Sequence, residues 1–170
     1  MDAIDAILTR RSVRRFLPDP VPDDQVKLLL RAAMQAPSAV NEQPWQFVVI
    51  NDRALLAEVA TFHSSVQVLH EAPMGILICG DKRLEKRQNC WVQDCSAATE
   101  NMLLAAHALG LGAVWLGIYH LEARIEGARK VFNLPAEIIP LVLIALGLPG
   151  ETPPPEDRYI EERVHHNLWR

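Results

Sequence analysis

Several features that define common protein classes are scarce or missing in this sequence. Three cysteines are too few, and odd in number, for a disulfide-built secreted domain, and no apolar leader segment opens the chain. No run reaches the roughly 18 uninterrupted apolar residues that span a bilayer. Acidic residues outnumber basic ones, 21 to 17, so the net charge of −4 argues against a general nucleic-acid binder. We therefore expect a soluble, cytoplasmic protein that binds neither nucleic acid nor membrane.

The familiar catalytic signatures are missing as well. The sequence has no G-x-x-x-x-G-K-[ST] phosphate loop, no G-x-G-x-x-G dinucleotide fingerprint, no H-E-x-x-H pair and no G-x-S-x-G elbow. The spacing of Cys90 and Cys95, and the adjacent His165 and His166, do not match the usual zinc arrangements. We expect no metal site, and no side chain is assigned as a catalytic acid, base or nucleophile.

The residues that are present predict one domain over positions 1–170. A hydrophobic fraction of 49% in 170 residues can bury roughly 70% of the unfolded surface in a single core. Helix and strand patterns alternate along it, and taken alone this alternation favours a doubly wound parallel sheet. Helices are expected over 2–10, from Asp23 to a stop before Pro37, and over 54–62, 94–109 and 122–132. Strands are expected over 46–50, 74–79, 113–116 and 139–146.

Two segments indicate a second subunit. The helix over 94–109 is apolar almost all round and ends at Gly110, a good C-terminal cap, so we expect it to be buried on more than one side. From about residue 150 the chain is proline-rich and extended. Its end is too apolar for a free tail and is expected to wrap over the partner, through Tyr159, Ile160, Val164, Leu168 and Trp169.

A basic cluster, Arg10-Arg11-Ser12-Val13-Arg14, follows the first predicted helix. Arginine offers forked, permanently charged donors that suit phosphate, and the short serine hydroxyl adds another donor at close range. The cluster is therefore a candidate phosphate site. An alternative remains open, because basic residues after a helix can simply complement its dipole and stay solvated.

Five segments resemble the FMN-dependent nitroreductases, and they occur in the expected order over essentially the whole chain. The first is the R-R-S-x-R cluster just described. The others are A-P-S-x-x-N-x-Q-P-W-x-F over 36–47, the helix over 96–106, the L-G-L-G-A-V-W-L-G stretch over 109–117, and Arg158 shortly before Val164-His165.

The resemblance implies an α+β fold and a flavin-based activity. The fold would be a three-layer α/β/α sandwich with a mixed, mainly antiparallel sheet, in an interlocked homodimer that binds FMN at two interface sites. NAD(P)H would pass hydride to flavin N5, and a nitroaromatic, quinone or similar small acceptor would then be reduced in a ping-pong cycle, with the chemistry carried by FMN. Dehalogenation or flavin fragmentation by the same fold, and a non-enzymatic flavin-binding or anion-binding module, are the alternatives.

The resemblance also implies roles for particular residues. Arg10 and Ser12 would hold the FMN phosphate, with Arg11 in the same binding set and Arg158 completing it from the tail. Arg14 would face the pyrimidine edge, where a fixed cation favours reduction. The partner subunit would contribute Pro37, Ser38 and Asn41, whereas Trp45 is expected in the core. The backbone of Trp115, Leu116 and Gly117 would lie against the flavin ring.

A further group of residues could line the substrate entrance or simply form solvated loops. These are Phe62, His63, Gln67, Lys82, Arg83, Arg87 and Asn89.

Overall fold

A computed structural model describes residues 1–64 and 66–169. Its described helices are α1 (Ala3–Thr9), α2 (Asp23–Ala33), α3 (Arg53–Glu58), α4 (Val66–Glu71), α5 (Trp91–Ala108) and α6 (Glu122–Phe132). Its described strands are β1 (Trp45–Ile50), β2 (Met74–Asp81), β3 (Gly112–Gly117) and β4 (Ile138–Gly147). Short 3-10 turns cover Ala39–Asn41, Val59–Thr61 and Glu161–Arg163.

The described strands form one sheet in the order β1-β2-β4-β3, and each neighbouring pair is antiparallel. The doubly wound parallel sheet favoured by alternation alone is therefore wrong. The alternation of helices and strands does not fix strand direction. Between β1 and β2 the chain forms α3 and α4, which pack against each other, and β2 then starts beside the end of β1, so the two strands are antiparallel. The α+β class is confirmed, and the strands described here contain no parallel pair of the kind expected in a mixed sheet.

Helices cover both faces of this sheet, which gives the expected three layers. Successive side chains of a strand point to opposite faces. Ile76 and Ile78 of β2 accordingly join the core beneath α2 and α5, whereas Leu77 joins the core beneath α3, α4 and α6. All eight residues of β2 are buried, as expected for a central strand.

The α5 helix is buried mainly within its own chain. It packs against α2, α1 and the sheet, with Cys95, Ala98 and Met102 fully buried. Its nearly all-round apolar surface therefore does not by itself require a second subunit. The predicted cap is confirmed: Gly110 has φ of 77°, its N–H donates to His107, and the Leu111 N–H donates to Ala106.

The basic cluster runs beside β3, which is an edge strand. Val13 N–H donates to the Ala113 carbonyl at 3.0 Å, and a Cβ at Gly112 would lie 2.7 Å from Val13 Cγ1. Farther along, the Gly150 N–H donates to the Arg15 carbonyl at 2.8 Å. The cluster is thus fixed between the sheet edge and the start of the C-terminal tail.

Candidate functional site

A cleft of about 400 Å³ opens where the basic cluster meets the tail. We call it the arginine cleft. It is lined by Arg11, Ser12, Arg14, Pro153, Pro154, Pro155, Glu156 and Arg158. The fold therefore brings Arg158 to the cluster from the far end of the chain, as the resemblance implied. Guanidinium and hydroxyl donors suit a phosphate. In this structure Arg158 pairs with Glu156, its Nε and Nη2 lying 2.9 and 2.8 Å from Glu156 Oε2, so a phosphate would replace that carboxylate as the partner of Arg158.

Arg14 has an exposed side chain and a fixed backbone. Its N–H donates to Glu151 Oε1 at 2.6 Å, and the Arg15 N–H donates to the same oxygen at 3.2 Å. Within residues 1–64 and 66–169, the Arg14 guanidinium has no hydrogen-bond or ion-pair partner, which leaves its donors available to a ligand. Sequence reasoning missed Glu151, because no motif marks it.

Arg11 and Arg10 are already engaged with the protein. Arg11 Nη1 donates to the Leu8 and Arg10 carbonyls at 3.2 and 2.7 Å, and its Nη2 donates to the Glu156 carbonyl at 2.7 Å. The alternative that a basic residue complements the helix dipole therefore applies to Arg11, which caps the end of α1 and hydrogen-bonds to the tail. Arg10 pairs with Glu100 at 3.6 Å and lines a neighbouring cleft of about 640 Å³ that Arg158 also reaches.

The β3 edge supplies backbone groups next to the cluster. The Ala113 and Gly117 carbonyls both accept hydrogen bonds from outside the sheet, so strand alternation directs the N–H and C=O of Trp115 to the same open edge. The Trp115 side chain is 38% exposed, whereas Leu116 is buried on the opposite face. An exposed aromatic ring beside available backbone groups suits a flat, polar-edged ligand.

Of the candidate entrance residues, His63 is buried and Phe62 packs half-buried against the core. His63 is 4% exposed, and its Nε2 lies 3.0 Å from the Gly117 carbonyl, which also accepts from Arg124 Nη1 at 2.7 Å. Burial and the nearby Arg124 charge lower the pKa of His63, so its imidazole is neutral at pH 7. Phe62 packs closely against Gly127 of α6. Together they support the end of β3 from beneath.

The other entrance candidates are dispersed. Arg83 Nη2 donates to Asp81 at 2.7 Å, and this hydrogen bond and charge hold the pKa of Asp81 below its usual range. Lys82 pairs with Glu85, and the Arg87 backbone N–H donates to Glu42. Gln67 lies on α4 and Asn89 just before α5. The structure shows no common entrance formed by these described side chains.

Pro37, Ser38 and Asn41 lie on a tightly folded loop over 37–43. Ser38 Oγ accepts from the Gln43 N–H at 3.1 Å, and Asn41 Oδ1 accepts from Gln43 Nε2 at 2.8 Å. Val40 has φ of 45°, which is rare for a β-branched residue, so its surroundings impose the loop conformation. Trp45, just beyond the loop, is buried as expected.

The loop and the basic cluster lie at opposite ends of α5. The Ala39 N–H donates to Asp94 at 3.0 Å near the start of that helix, whereas Thr9 Oγ1 lies 2.8 Å from His107 near its end. Positions 94 and 107 are separated by about 20 Å at about 1.5 Å per helical residue. We call the basic cluster with the arginine cleft the arginine half, and the loop over 37–43 the loop half.

Two general expectations can be compared with the described part of the chain. Among its helices, none is long and apolar enough to cross a membrane. Its histidine, cysteine, aspartate and glutamate side chains form no group of three or more placed to hold a metal ion.

Comparison with known proteins places the chain in a family. The sequence profile of the Nitroreductase family matches residues 7–65 and 60–148. A protein of Methanothermobacter thermautotrophicus, provisionally named NADH dehydrogenase/NAD(P)H nitroreductase, is 46% identical over 99% of this chain and 88% of its own length. A crystal structure from Parabacteroides distasonis with the same provisional name is 40% identical, with a TM-score of 0.94 over 98% of each chain.

A third relative was solved with a ligand. This provisionally named nitroreductase from Desulfovibrio desulfuricans, in complex with FMN, is 32% identical, with a TM-score of 0.86 over 100% of this chain and 99% of its own. The sequence profile, the full-length sequence identity and the shared fold agree. The chain belongs to the nitroreductase family.

Proposed function

We propose that this protein is an FMN-dependent NAD(P)H oxidoreductase that reduces small electron-poor acceptors, such as nitroaromatics and quinones, and acts as a homodimer. The arginine cleft is the observation that carries the proposal. It joins Ser12, Arg14 and Arg158 beside the open edge of β3, and it has the donors that an FMN phosphate and a reducible ring require. A family member of the same fold has been solved with FMN.

The residues present fit FMN in separate roles. Ser12 and Arg158 would bind the phosphate, with Arg10 reaching the same tail residues from the neighbouring cleft. Arg14 would place a fixed positive charge beside the part of the ring that becomes negative on reduction. The backbone of Trp115 and Gly117 would lie along the ring. When bound, FMN supplies the two-electron chemistry between NAD(P)H and the acceptor.

A homodimer would complete the site. The loop half contacts the start of α5, whereas Thr9, just before the cluster, contacts its end, so a second copy would bring its Pro37, Ser38 and Asn41 to the first copy's cleft. Exposed apolar side chains support such an interface, because monomeric proteins rarely expose large contiguous apolar patches. They lie on α1 and the tail, at Ile4, Ile7, Leu8, Tyr159, Leu168 and Trp169.

The test compares two arginines under anaerobic conditions. The purified protein is expected to be yellow, to bleach with NAD(P)H and to recover its colour with a nitroaromatic or a quinone. Arg14→Ala should slow flavin reduction by about 10²-fold, the usual effect of one electrostatic donor, while FMN is largely retained. Arg10→Ala should mainly weaken FMN retention. Glu100→Gln is the matched control, because it removes only the partner of Arg10.

Three results would contradict the proposal. A colourless protein that FMN does not reconstitute would exclude the cofactor, and equal effects of the two arginine variants would refute the division of roles. Bound flavin that NAD(P)H leaves oxidised would favour a non-enzymatic module. Halide release from an aryl halide, or flavin breakdown in air, would instead identify one of the specialised reactions of the fold.

A further inference from the structure

Two buried carboxyl groups face each other beneath the loop half. Glu42 belongs to the loop and Asp94 to the first turns of α5, and each residue is 5% exposed. Their carboxyl groups lie within hydrogen-bonding range of each other. Buried acidic groups need partners, since an uncompensated charge in the interior is strongly unfavourable.

Each carboxyl group uses one oxygen to hold the backbone. Glu42 Oε2 accepts from the N–H groups of Lys86 and Arg87 at 2.6 and 3.0 Å, and Asp94 Oδ1 accepts from the Ala39 N–H at 3.0 Å. The pair therefore joins the loop over 37–43 to the segment before α5 and to α5 itself.

The two remaining oxygens lack a donor. Glu42 Oε1 and Asp94 Oδ2 are both buried and have no hydrogen-bond partner among the described residues. A buried acceptor without a donor is destabilising, and two ionised carboxylates at this distance repel each other. A single proton between these oxygens satisfies both.

The surrounding charges indicate which group carries the proton. Glu85 adds negative charge near Asp94 and is itself paired with Lys82, whereas the Lys86 charge lies near Glu42. Burial, the hydrogen bond to Glu42 and the charges of Glu42 and Glu85 raise the pKa of Asp94, against the opposing effect of the Ala39 amide. Burial acts to raise the pKa of Glu42, but the amides of Lys86 and Arg87 and the Asp94 hydrogen bond outweigh it and lower that pKa.

We propose that Asp94 is protonated and donates from Oδ2 to Glu42 Oε1, and that this acid–carboxylate pair is the positioning element of the loop half. Neither residue is catalytic; they act by fixing the loop that carries Pro37, Ser38 and Asn41. The pairing itself stands on the geometry described above. Only its consequence for FMN rests on the proposed function.

The pair makes stability depend on pH in a defined direction. Because the pKa of Asp94 is higher in the folded chain than in the unfolded one, the folded state holds the proton more tightly. This contribution is present at low pH and is lost as pH rises through the folded pKa. Asp94→Asn should remove the dependence, because its amide donates to Glu42 at every pH while its oxygen still accepts from Ala39.

The experiment uses the full chain, first without added FMN. Infrared spectroscopy should show a protonated carboxyl band in the wild type above the ordinary aspartate range near pH 4, and this band should be absent in Asp94→Asn. Thermal unfolding should lose stability as pH rises through that region more steeply in the wild type than in Asp94→Asn. Glu100→Gln, an exposed carboxyl on the same helix, should keep the band. A wild type without the band, or equal pH slopes in the wild type and Asp94→Asn, would overturn the shared proton whether or not the protein binds FMN.

A second measurement tests the positioning role. Asp94→Ala should bind FMN about tenfold more weakly, the factor that corresponds to about 1.4 kcal/mol, while Asp94→Asn binds it like the wild type. Glu42→Gln is a second amide variant: its amide can donate to the ionised Asp94 and should preserve binding, which keeps the test informative if Asp94→Ala does not fold. If the wild type binds FMN, then either unchanged affinity in Asp94→Ala or loss of binding in both amide variants would overturn the positioning role.

Discussion

At the scale of residues, neighbours in one short cluster have separate tasks. Arg11 donates to three backbone carbonyls, Arg10 pairs with Glu100, and Arg14 keeps its guanidinium exposed. The sequence predicted a phosphate site and left a helix-capping role open, and the structure gives the capping role to one residue of the cluster. Sequence reasoning had no means to separate them, because the contacts that distinguish them come from positions 100, 151 and 156.

His63 should make the free energy of unfolding depend on pH. Its folded pKa is lowered by burial and by Arg124, so the unfolded chain binds the proton more readily and stability falls as pH drops through the ordinary histidine range near 6.5. Urea unfolding between pH 5 and 7 should show a flatter dependence in His63→Gln than in the wild type. Exposed His120→Gln is the control, and an unchanged slope in His63→Gln would contradict the assignment.

At the scale of elements, the sequence patterns predicted where helices and strands begin and end better than they predicted strand direction and contacts between distant residues. The α6 boundaries agree with the predicted 122–132, and each predicted strand lies within one or two residues of its observed ends. The six-residue α4 was missed, because it is too short to show a helical period. Strand direction and the pairing of Glu42 with Asp94 depend on contacts between distant positions, which local periodicity does not contain.

The contact between β3 and the basic cluster should be sensitive to added side-chain volume at Gly112. Gly112→Ala would place a Cβ 2.7 Å from Val13 Cγ1, so we expect a loss of about 1–3 kcal/mol, typical of overpacking, and weaker FMN binding as the cluster shifts. Gly117→Ala on the same strand is the matched control, because its nearest contact would be an ordinary 3.7 Å. Equal free energies of unfolding in urea for the two variants would contradict this packing.

At the scale of the whole molecule, the described core residues lie between Ala6 and Leu146, while large apolar side chains beyond them remain exposed. Trp169 is 88% exposed and Leu168 63%. In the proposed homodimer these side chains would be covered by the partner. The fold of one chain would then be largely independent of assembly, whereas the cofactor site would depend on it.

Changing the tail should therefore weaken the dimer without unfolding the chain. Leu168→Asp combined with Trp169→Asp removes about 2 kcal/mol of burial per side chain, so the dimer dissociation constant should rise more than tenfold. Analytical ultracentrifugation measures the constant, and circular dichroism checks the fold. Leu121→Asp, an exposed apolar position outside α1 and the tail, is the control. An unchanged constant in the tail variant would exclude this surface.

The placement of the two half-sites at opposite ends of α5 has a genetic consequence. Each proposed FMN site would combine the arginine half of one chain with the loop half of the other, so defects in different halves should complement each other. A mixed dimer of an Arg14→Ala chain and an Asn41→Ala chain would contain one site with both defects and one wild-type site. Each variant expressed alone would carry its defect in both sites, so co-expression should restore about half of the wild-type activity per mixed dimer.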